Sequence, residues 1–268
     1  MKKTVLVLIT FALVIAVAGS GFWLVHYFID SREQRQTYET LAEEFVLEST
    51  PTPESTTPAE NSSPTENSSE PAESVSLTTA TPRHDLAALA EENADCVGWL
   101  TIPDTGIDYP VMHTPNDPEH YLRRDFYGNS ASGGTPFLDG RNLAEAENQN
   151  LILYGHNMMD GSMFKPLISY LEPSFRETHK EIYLELSEKQ YQYEVFAVLE
   201  TNTQCSLYQY TDLSDPATES DFRAAILKET DLEGVHQAPG YLTLSTCNNG
   251  GGSSRVLVIA SLAGEVSQ

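Results

Sequence analysis

The sequence predicts a mainly β domain, a closed or half-closed β-barrel with short inserted helices, behind one N-terminal transmembrane helix. Thr4 to Ile29 form an almost uninterrupted apolar run, longer than the roughly 20 residues that span a bilayer as a helix. Short runs rich in β-branched and aromatic residues, separated by turn-forming residues, recur from residue 96 to residue 260. The segments with helical spacing between them are short, which is typical of a barrel with inserted helices.

The N-terminal apolar run has the charge pattern of a signal anchor. Lys2 and Lys3 precede it, so by the positive-inside tendency residues 1–3 stay in the cytoplasm and residues 4–29 span the membrane. A cleaved signal peptide is the competing interpretation, and Ala16-Val-Ala18 leaves cleavage open, although the run is longer than a usual signal core. We therefore expect a single-pass protein of the cell membrane with its C-terminal domain outside the cell.

Residues 30–82 change character before the globular domain begins. Residues 30–47 are polar, with Leu41 and Phe45 at loosely helical spacing, which suggests a short juxtamembrane helix. Residues 48–81 are rich in Pro, Ser, Thr, Asn and Glu and contain no Lys or Arg. Such a segment cannot bury enough apolar surface to offset the entropy of ordering. We expect a disordered stalk that holds the following domain away from the membrane.

The domain predicted from residue 83 to residue 268 is composed of short elements. Alternating or continuous apolar patterns predict strands over residues 96–102, 107–111, 133–138, 150–154, 181–186, 191–201, 241–247 and 255–260. Apolar residues three and four apart predict helices over residues 84–92, 162–171, 173–178 and 221–229. Residues 117–127 are expected to form a helix or an irregular segment.

Composition narrows the functional classes. The formal net charge of −24 argues against a nucleic-acid partner, because phosphates are bound by clustered Lys and Arg. Three cysteines are too few for a disulfide framework, although a bridge between Cys96 and Cys205 is possible. The sequence has no Cys-x-x-Cys and no His-x-x-x-His pattern, so we expect neither a metal site nor a cofactor.

Three residue types that suit acyl transfer occur at strand ends. Cys247 ends the strand that begins at Tyr241, a Gly-rich loop follows, and Arg255 opens the next strand. His156 follows the apolar run of residues 150–154. A thiolate can act as nucleophile, an imidazole can transfer protons, and a guanidinium can stabilise an oxyanion. Each residue also has a simpler interpretation, as a buried small hydrophobe, a loop histidine or a surface ion-pair partner.

Taken together, these motifs resemble those of sortases, the membrane-anchored cysteine transpeptidases of Gram-positive bacteria. The resemblance rests on Thr243–Cys247, Arg255 and Leu153–Met158, and it extends to class B members through Val97–Ile102, Ile107–Val111, Tyr121–Leu122 and Phe137–Asn142. It implies an eight-stranded sortase barrel. It also implies that Cys247 is the nucleophile, His156 the general acid and base, and Arg255 the group that stabilises the oxyanion or the substrate.

The resemblance further implies a reaction and its partners. A sortase cleaves a C-terminal sorting motif of secreted proteins after threonine, through a thioacyl-enzyme, and transfers the protein to an amine of a peptidoglycan precursor or cross-bridge. Leu122, Tyr208 and Ser245 match positions that line the sorting-peptide groove of class B enzymes. Some class B enzymes carry an acidic residue just after the catalytic cysteine, where this chain has Asn248 and Asn249. Its loop is also unusually glycine-rich at 250–252, and both departures put the substrate preference in doubt.

Three alternative functions stay open from the sequence. The first is a pilin-type polymerase that uses a lysine acceptor, and the second is a secreted cysteine peptidase. Papain-like peptidases place the cysteine before the histidine, whereas here His156 precedes Cys247. The third alternative is a non-enzymatic module that binds a partner at the cell surface.

Overall fold

A computed structural model describes residues 2–47, 83–248 and 252–266 of the chain. The α-helices are α1 (Lys2–Glu44), α2 (Leu86–Glu92), α3 (Pro173–Thr178) and α4 (Pro216–Glu229). The strands are β1 (Val46–Leu47), β2 (Arg83–His84), β3 (Cys96–Ile102), β4 (Ile107–Met112), β5 (Phe137–Leu138), β6 (Asn150–Tyr154), β7 (Glu181–Leu186), β8 (Lys189–Asn202), β9 (Tyr241–Cys247) and β10 (Ser254–Glu265). Three 3₁₀ helices span His120–Arg123, Lys165–Leu171 and Ser206–Gln209.

Eight strands close into a barrel in the order β10-β8-β7-β3-β4-β5-β6-β9. The pairs β4–β5 and β6–β9 are parallel, and the other six are antiparallel. Closure leaves no unpaired edge among these strands, which removes a common route to aggregation. The predicted fold class, a mainly β closed eight-stranded barrel with short inserted helices, is confirmed.

The strand β9 lies between β6 and β10 and is buried along nearly its whole length. Residues Tyr241 to Thr246 are all buried, so the hydroxyl residues that alternate with apolar ones along this strand are buried as well. Its buried hydroxyl groups need partners, and the Thr243 hydroxyl donates to Asn150 Oδ1 of β6 at 2.7 Å. The ends of β6 and β9 and the start of β10 therefore meet at one end of the barrel.

The segment predicted as a helix over residues 162–171 is instead a 3₁₀ helix, Lys165–Leu171. Its buried side chains are Leu167 and Tyr170, and Phe164, which caps it, is buried as well, so buried side chains recur every three residues. This spacing matches the three residues per turn of a 3₁₀ helix, whereas an α-helix needs 3.6. Apolar residues three apart suit both helix types, so the sequence pattern did not separate them.

Two other elements differ from their predicted bounds for local reasons. The helix expected over residues 221–229 begins at Pro216, because Asp215 caps it by accepting from Thr218 N at 3.0 Å and proline suits the first turn. The strand expected over residues 133–138 is reduced to β5. Gly134 has a φ of +60°, and a Cβ there would lie 2.5 Å from Leu122 O, so a close backbone approach replaces strand pairing.

Helix α1 joins the apolar run to the barrel without a break. It is the one helix among the described residues that is long and apolar enough, by length and composition, to cross a membrane. Its C-terminal part packs into the barrel core through Tyr38 and Leu41, each 1% exposed. Tyr38 Oη and Gln34 Nε2 donate to Gly134 O at 2.9 and 2.7 Å. The catalytic-domain boundary at residue 83 stays a prediction, but the core also includes residues of α1.

The predicted stalk lies outside the described residues, but its two flanking residues are described. Leu47 of β1 and Arg83 of β2 are cross-strand partners in an antiparallel pair. The residues on either side of the 48–82 segment are therefore neighbours in space. The stalk itself stays a prediction.

We expect Leu41→Ala to destabilise the chain, because a buried leucine truncated to alanine loses its transfer free energy and leaves a cavity. The typical cost is about 2–5 kcal/mol, which lowers the melting temperature of a domain of this size by roughly 5–15 °C. Leu143→Ala is the matched control, since that side chain is 57% exposed. Equal melting temperatures for both variants in detergent would show that α1 is not part of the folded unit.

Candidate active site

Cys247 and Arg255 lie directly opposite each other. Cys247 is the last residue of β9, and the antiparallel register pairs it with Arg255, the second residue of β10. Directly opposed residues have Cβ atoms about 4.5–5.5 Å apart, so the side chains of Cys247 and Arg255 start from adjacent positions, and both line the same cleft. Arg255 Nη1 donates to Gly252 O at 2.8 Å and Ser254 O at 2.9 Å, which holds the guanidinium at the loop. The Cys247 thiol is free and half-buried.

His156 is held level with Cys247 by the end of the parallel β6–β9 pair. The last register pair is Tyr154 with Ser245, and the contacts continue beyond it. Gly155 N donates to Ser245 O at 3.2 Å, and the Thr246 hydroxyl donates to Gly155 O at 2.8 Å. Asn157 Nδ2 donates to Cys247 O at 2.9 Å. The histidine is thus flanked on both sides by residues bonded to the cysteine strand.

Gly155 is required at its position by packing. A Cβ built there would lie 2.5 Å from the ring of Phe164, closer than real side chains allow. Phe164 is fully buried, and its N–H donates to His156 O at 2.8 Å. A larger residue at 155 would push the histidine loop away from β9.

The His156 ring has one nitrogen committed. Nε2 lies 2.8 Å from Leu122 O, and because a carbonyl oxygen only accepts, Nε2 carries the hydrogen. Nδ1 is then the nitrogen left to exchange a proton. Burial lowers the pKa of His156, the Leu122 carbonyl opposes this by favouring the imidazolium, and the Arg123 charge lowers the pKa further.

We expect the pKa of His156, measured by NMR titration of the ring, to lie below 6.5 and to rise in Arg123→Gln, because that variant removes a repelling charge. Arg124→Gln is the control, since Arg124 donates to Gly128 O and is not among the causes of the shift. The unfolded chain binds more protons than the folded one once pH falls below about 6.5, so this group lowers stability at acid pH. A wild-type value above 6.5 would contradict the environment described.

The six residues predicted as catalytic or substrate-binding all line one cleft of about 400 Å³. Tyr208 lies on the 3₁₀ helix Ser206–Gln209, and its hydroxyl is 2.7 Å from Ser245 Oγ. Leu122 lines the cleft as well and supplies the carbonyl that binds His156. The other lining residues are Pro118, Glu119, Phe137, Asp139, Gly140, Tyr154, Gly155, Thr203 and Thr246.

Sequence reasoning missed several residues of this site. Asp139 and Tyr154 stand in motifs that carry the family resemblance, but nothing in the local pattern assigned them a role. Asn157 directly follows His156, and its contact with Cys247 O depends on the tertiary structure alone. Within the described parts of the chain, no three His, Cys, Asp or Glu side chains come together as metal ligands.

Cys96 and Cys205 are both free and buried, so the possible bridge between them is not formed. Cys96 lies in the main barrel core and Cys205 in a second apolar cluster beside α4. Burial raises the pKa of Cys96 to about 12, which keeps that thiol protonated and unreactive at neutral pH. Cys247 is therefore the cysteine of the chain that reaches the cleft.

A model of the sortase domain family matches residues 100–263 of this chain. The chain therefore belongs to the sortase family, whose members are cysteine transpeptidases that sort proteins to the cell wall. The prediction made from the motifs is confirmed at this level.

The relatives are class B members of that family. Sortase B of Listeria monocytogenes is 37% identical over 169 residues, which cover 62% of this chain and 68% of that protein. Sortase B of Staphylococcus aureus is 28% identical over 269 residues and 97% of each chain. A sortase B structure from Bacillus anthracis, in complex with AAEK1, superposes with a TM-score of 0.64 at 28% identity, covering 88% of this chain and 98% of that one. The S. aureus sortase B–substrate complex gives a TM-score of 0.60 at 30% identity, covering 68% of this chain and 85% of that one.

Proposed function

We propose that this chain is a membrane-anchored transpeptidase that cleaves the sorting motif of secreted proteins after threonine and joins them to an amine of the cell wall. The observation that carries the proposal is the register pair of Cys247 with Arg255, together with the hydrogen bonds that tie both neighbours of His156, Gly155 and Asn157, to the end of the same strand. This arrangement offers a nucleophile, an oxyanion partner and a proton-transfer group in one cleft.

The acylation half-reaction uses all three groups. The Cys247 thiolate attacks the threonine carbonyl carbon, and the carbonyl oxygen becomes an oxyanion that the Arg255 guanidinium stabilises. His156, with both ring nitrogens protonated, gives its Nδ1 proton to the departing amine as the C–N bond breaks. Leu122 O keeps hold of the Nε2 hydrogen throughout. The product is a thioester between the protein's threonine and Cys247.

In the second half-reaction His156 acts as a base instead of an acid, and Cys247 is the leaving group instead of the nucleophile. An amine of a peptidoglycan precursor or cross-bridge attacks the thioester, and His156 Nδ1 accepts the amine's proton. Arg255 again stabilises the oxyanion, and collapse of the intermediate forms the amide and releases the Cys247 thiolate. No other reactant is needed, because one amide bond is exchanged for another.

The peptide-binding surface is proposed to be formed by Leu122, Tyr208 and Ser245. All three line the cleft beside Cys247, and Tyr208 and Ser245 are bonded to each other. Leu122 also holds the His156 ring through its carbonyl, so its position is coupled to that of the general acid.

The proposed topology places residues 1–3 in the cytoplasm, residues 4–29 across the membrane and the catalytic domain, residues 83–268, outside the cell. Helix α1 supports this topology by its length and apolar composition. The substrates, secreted proteins and cell-wall amines, are outside the cell as well.

The deciding experiment offers the full chain in detergent a library of peptides with one internal threonine, with and without triglycine. We expect cleavage after threonine and, with triglycine present, a new amide product identified by mass spectrometry. Cleavage without any amide product would indicate a cysteine peptidase, and transfer only to lysine side chains would indicate a pilin polymerase. A chain that cleaves no peptide and keeps a partner-binding activity after alkylation of Cys247 would be a binding module.

A further inference from the structure

A buried carboxylate in the cleft has no part in the proposed chemistry. Asp139 follows β5, lines the cleft and is 8% exposed. Arg141 pairs with it bidentately, with Nε to Oδ1 and Nη2 to Oδ2 both at 2.8 Å. Such a fork holds both side chains in one geometry.

The ion pair extends to two tyrosines of the cleft. The Tyr154 hydroxyl donates to Asp139 Oδ2 at 2.8 Å, and Arg141 Nη2 also donates to Tyr208 O at 2.8 Å. The rings of Tyr154 and Tyr208 stack with centroids 6.2 Å apart and planes 21° apart. Three separate parts of the chain are joined in this way: the segment after β5, the end of β6, and the 3₁₀ helix Ser206–Gln209.

The protonation states support this network. Burial alone would raise the pKa of Asp139, but hydrogen bonds from Arg141 and Tyr154 and the guanidinium charge outweigh it and lower the pKa. The carboxylate is therefore ionised at neutral pH. Burial and the nearby Asp139 charge raise the pKa of Tyr154, so its hydroxyl stays protonated and donates.

We propose that the Asp139–Arg141 ion pair is the positioning element that fixes Tyr154 and Tyr208 as the wall against which the sorting peptide binds. This inference rests on the proposed function, since it concerns the peptide of that reaction. The ion pair acts through the two tyrosines and does not touch Cys247, His156 or Arg255 in any described hydrogen bond. Its loss should therefore weaken peptide binding and leave the reactivity of the nucleophile intact.

The chain contains a matched control network away from the cleft. Arg223 Nε pairs with the buried Glu219 at 2.8 Å and donates to Val235 O, and the Tyr241 hydroxyl donates to Glu219 at 2.9 Å. This network joins α4 to the start of β9 and lines no part of the cleft. It contains the same three group types, an arginine, a carboxylate and a tyrosine, at a position that does not line the cleft.

The test measures steady-state kinetics on the peptide that the wild-type chain cleaves fastest in the threonine library. We expect Asp139→Asn, Arg141→Lys and Tyr154→Phe each to raise KM about tenfold, the effect of one lost charged hydrogen bond, while kcat changes less than about threefold. Labelling of Cys247 by a small methanethiosulfonate should proceed at the wild-type rate. Glu219→Gln and Arg223→Lys should lower the melting temperature and leave KM unchanged.

Two results would overturn the inference. One is a KM for Asp139→Asn no higher than that of Glu219→Gln, and the other is a parallel fall of kcat and of Cys247 labelling. A second readout needs no cleavage: amide hydrogen exchange over Ser206–Gln209 should accelerate in Asp139→Asn and not in Glu219→Gln. Unchanged exchange there overturns the positioning role, whereas a failure to cleave any peptide in the wild type concerns the proposed function alone.

Discussion

Cys247→Ala is expected to reduce peptide cleavage and amide formation to the uncatalysed background. Without the thiol no thioester forms. The hydroxyls that line the cleft at this strand end, Ser245 and Thr246, are held in hydrogen bonds to Tyr208 and Gly155 O, so we do not expect either to replace Cys247. The variant should fold normally, because Cys247 is only half-buried at the end of β9 and the change is small. Product formation by mass spectrometry and the melting temperature are the two measurements.

Cys205→Ala is the matched control for this experiment. It removes the same group from a buried position, 6% exposed, in the apolar cluster beside α4. We expect it to keep wild-type cleavage, and we expect intact-mass analysis of the wild type to find one alkylated thiol out of three. Near-normal activity in Cys247→Ala would refute the assignment of the nucleophile and, with it, the proposed mechanism.

Arg255→Lys is expected to lower kcat/KM for peptide cleavage by about 10²–10³-fold, the usual effect of losing an oxyanion donor. Lysine keeps the positive charge, but it lacks the planar fork that lets the guanidinium bond the Gly252 and Ser254 carbonyls and still face the cleft. The lysine ammonium would then carry the charge without being held in one position relative to the oxyanion. The effect should fall mainly on kcat, because the oxyanion exists only in the transition state.

Arg223→Lys is the matched control for Arg255→Lys. It makes the same substitution outside the cleft, and we expect it to keep the wild-type kcat. Thiol labelling of Cys247 separates the possible causes. If Arg255 acts on the oxyanion alone, the labelling rate of the Arg255→Lys variant stays close to that of the wild type. A kcat/KM within threefold of the wild type would remove Arg255 from the mechanism.

The barrel strands, including the one that carries Cys247, were predictable because the patterns that specify them are local in the sequence. The apolar pattern of β9, the glycine-rich loop and the apolar start of β10 predict two neighbouring strands, and the register then places Cys247 opposite Arg255. The apolar run of residues 150–154 likewise predicted the strand β6, and this placed His156 just beyond the end of that strand. Strand patterns and turn residues depend on near neighbours in the sequence, so they can be read directly from it.

The contacts that complete the site were not predictable, because they join distant parts of the chain. Leu122 O meets His156 across 34 positions, and Arg141 meets Tyr208 O across 67. Such pairs arise only when the barrel closes and brings loops from different strands to one end. Single residues such as Asp139 carry no local pattern that distinguishes a positioning carboxylate from a surface one.

The pairing of Leu47 with Arg83 bears on how the enzyme meets its substrates. With α1 proposed as the membrane anchor and its C-terminal turns buried in the barrel core, the height of the cleft above the bilayer is set by a helix that rises about 1.5 Å per residue. Because Leu47 and Arg83 are paired, we expect this height not to depend on the length of the 35-residue segment from 48 to 82. In the proposed topology the cleft therefore stays at one distance from the bilayer, and we expect a sorting motif to be cleaved only where it is presented at that distance.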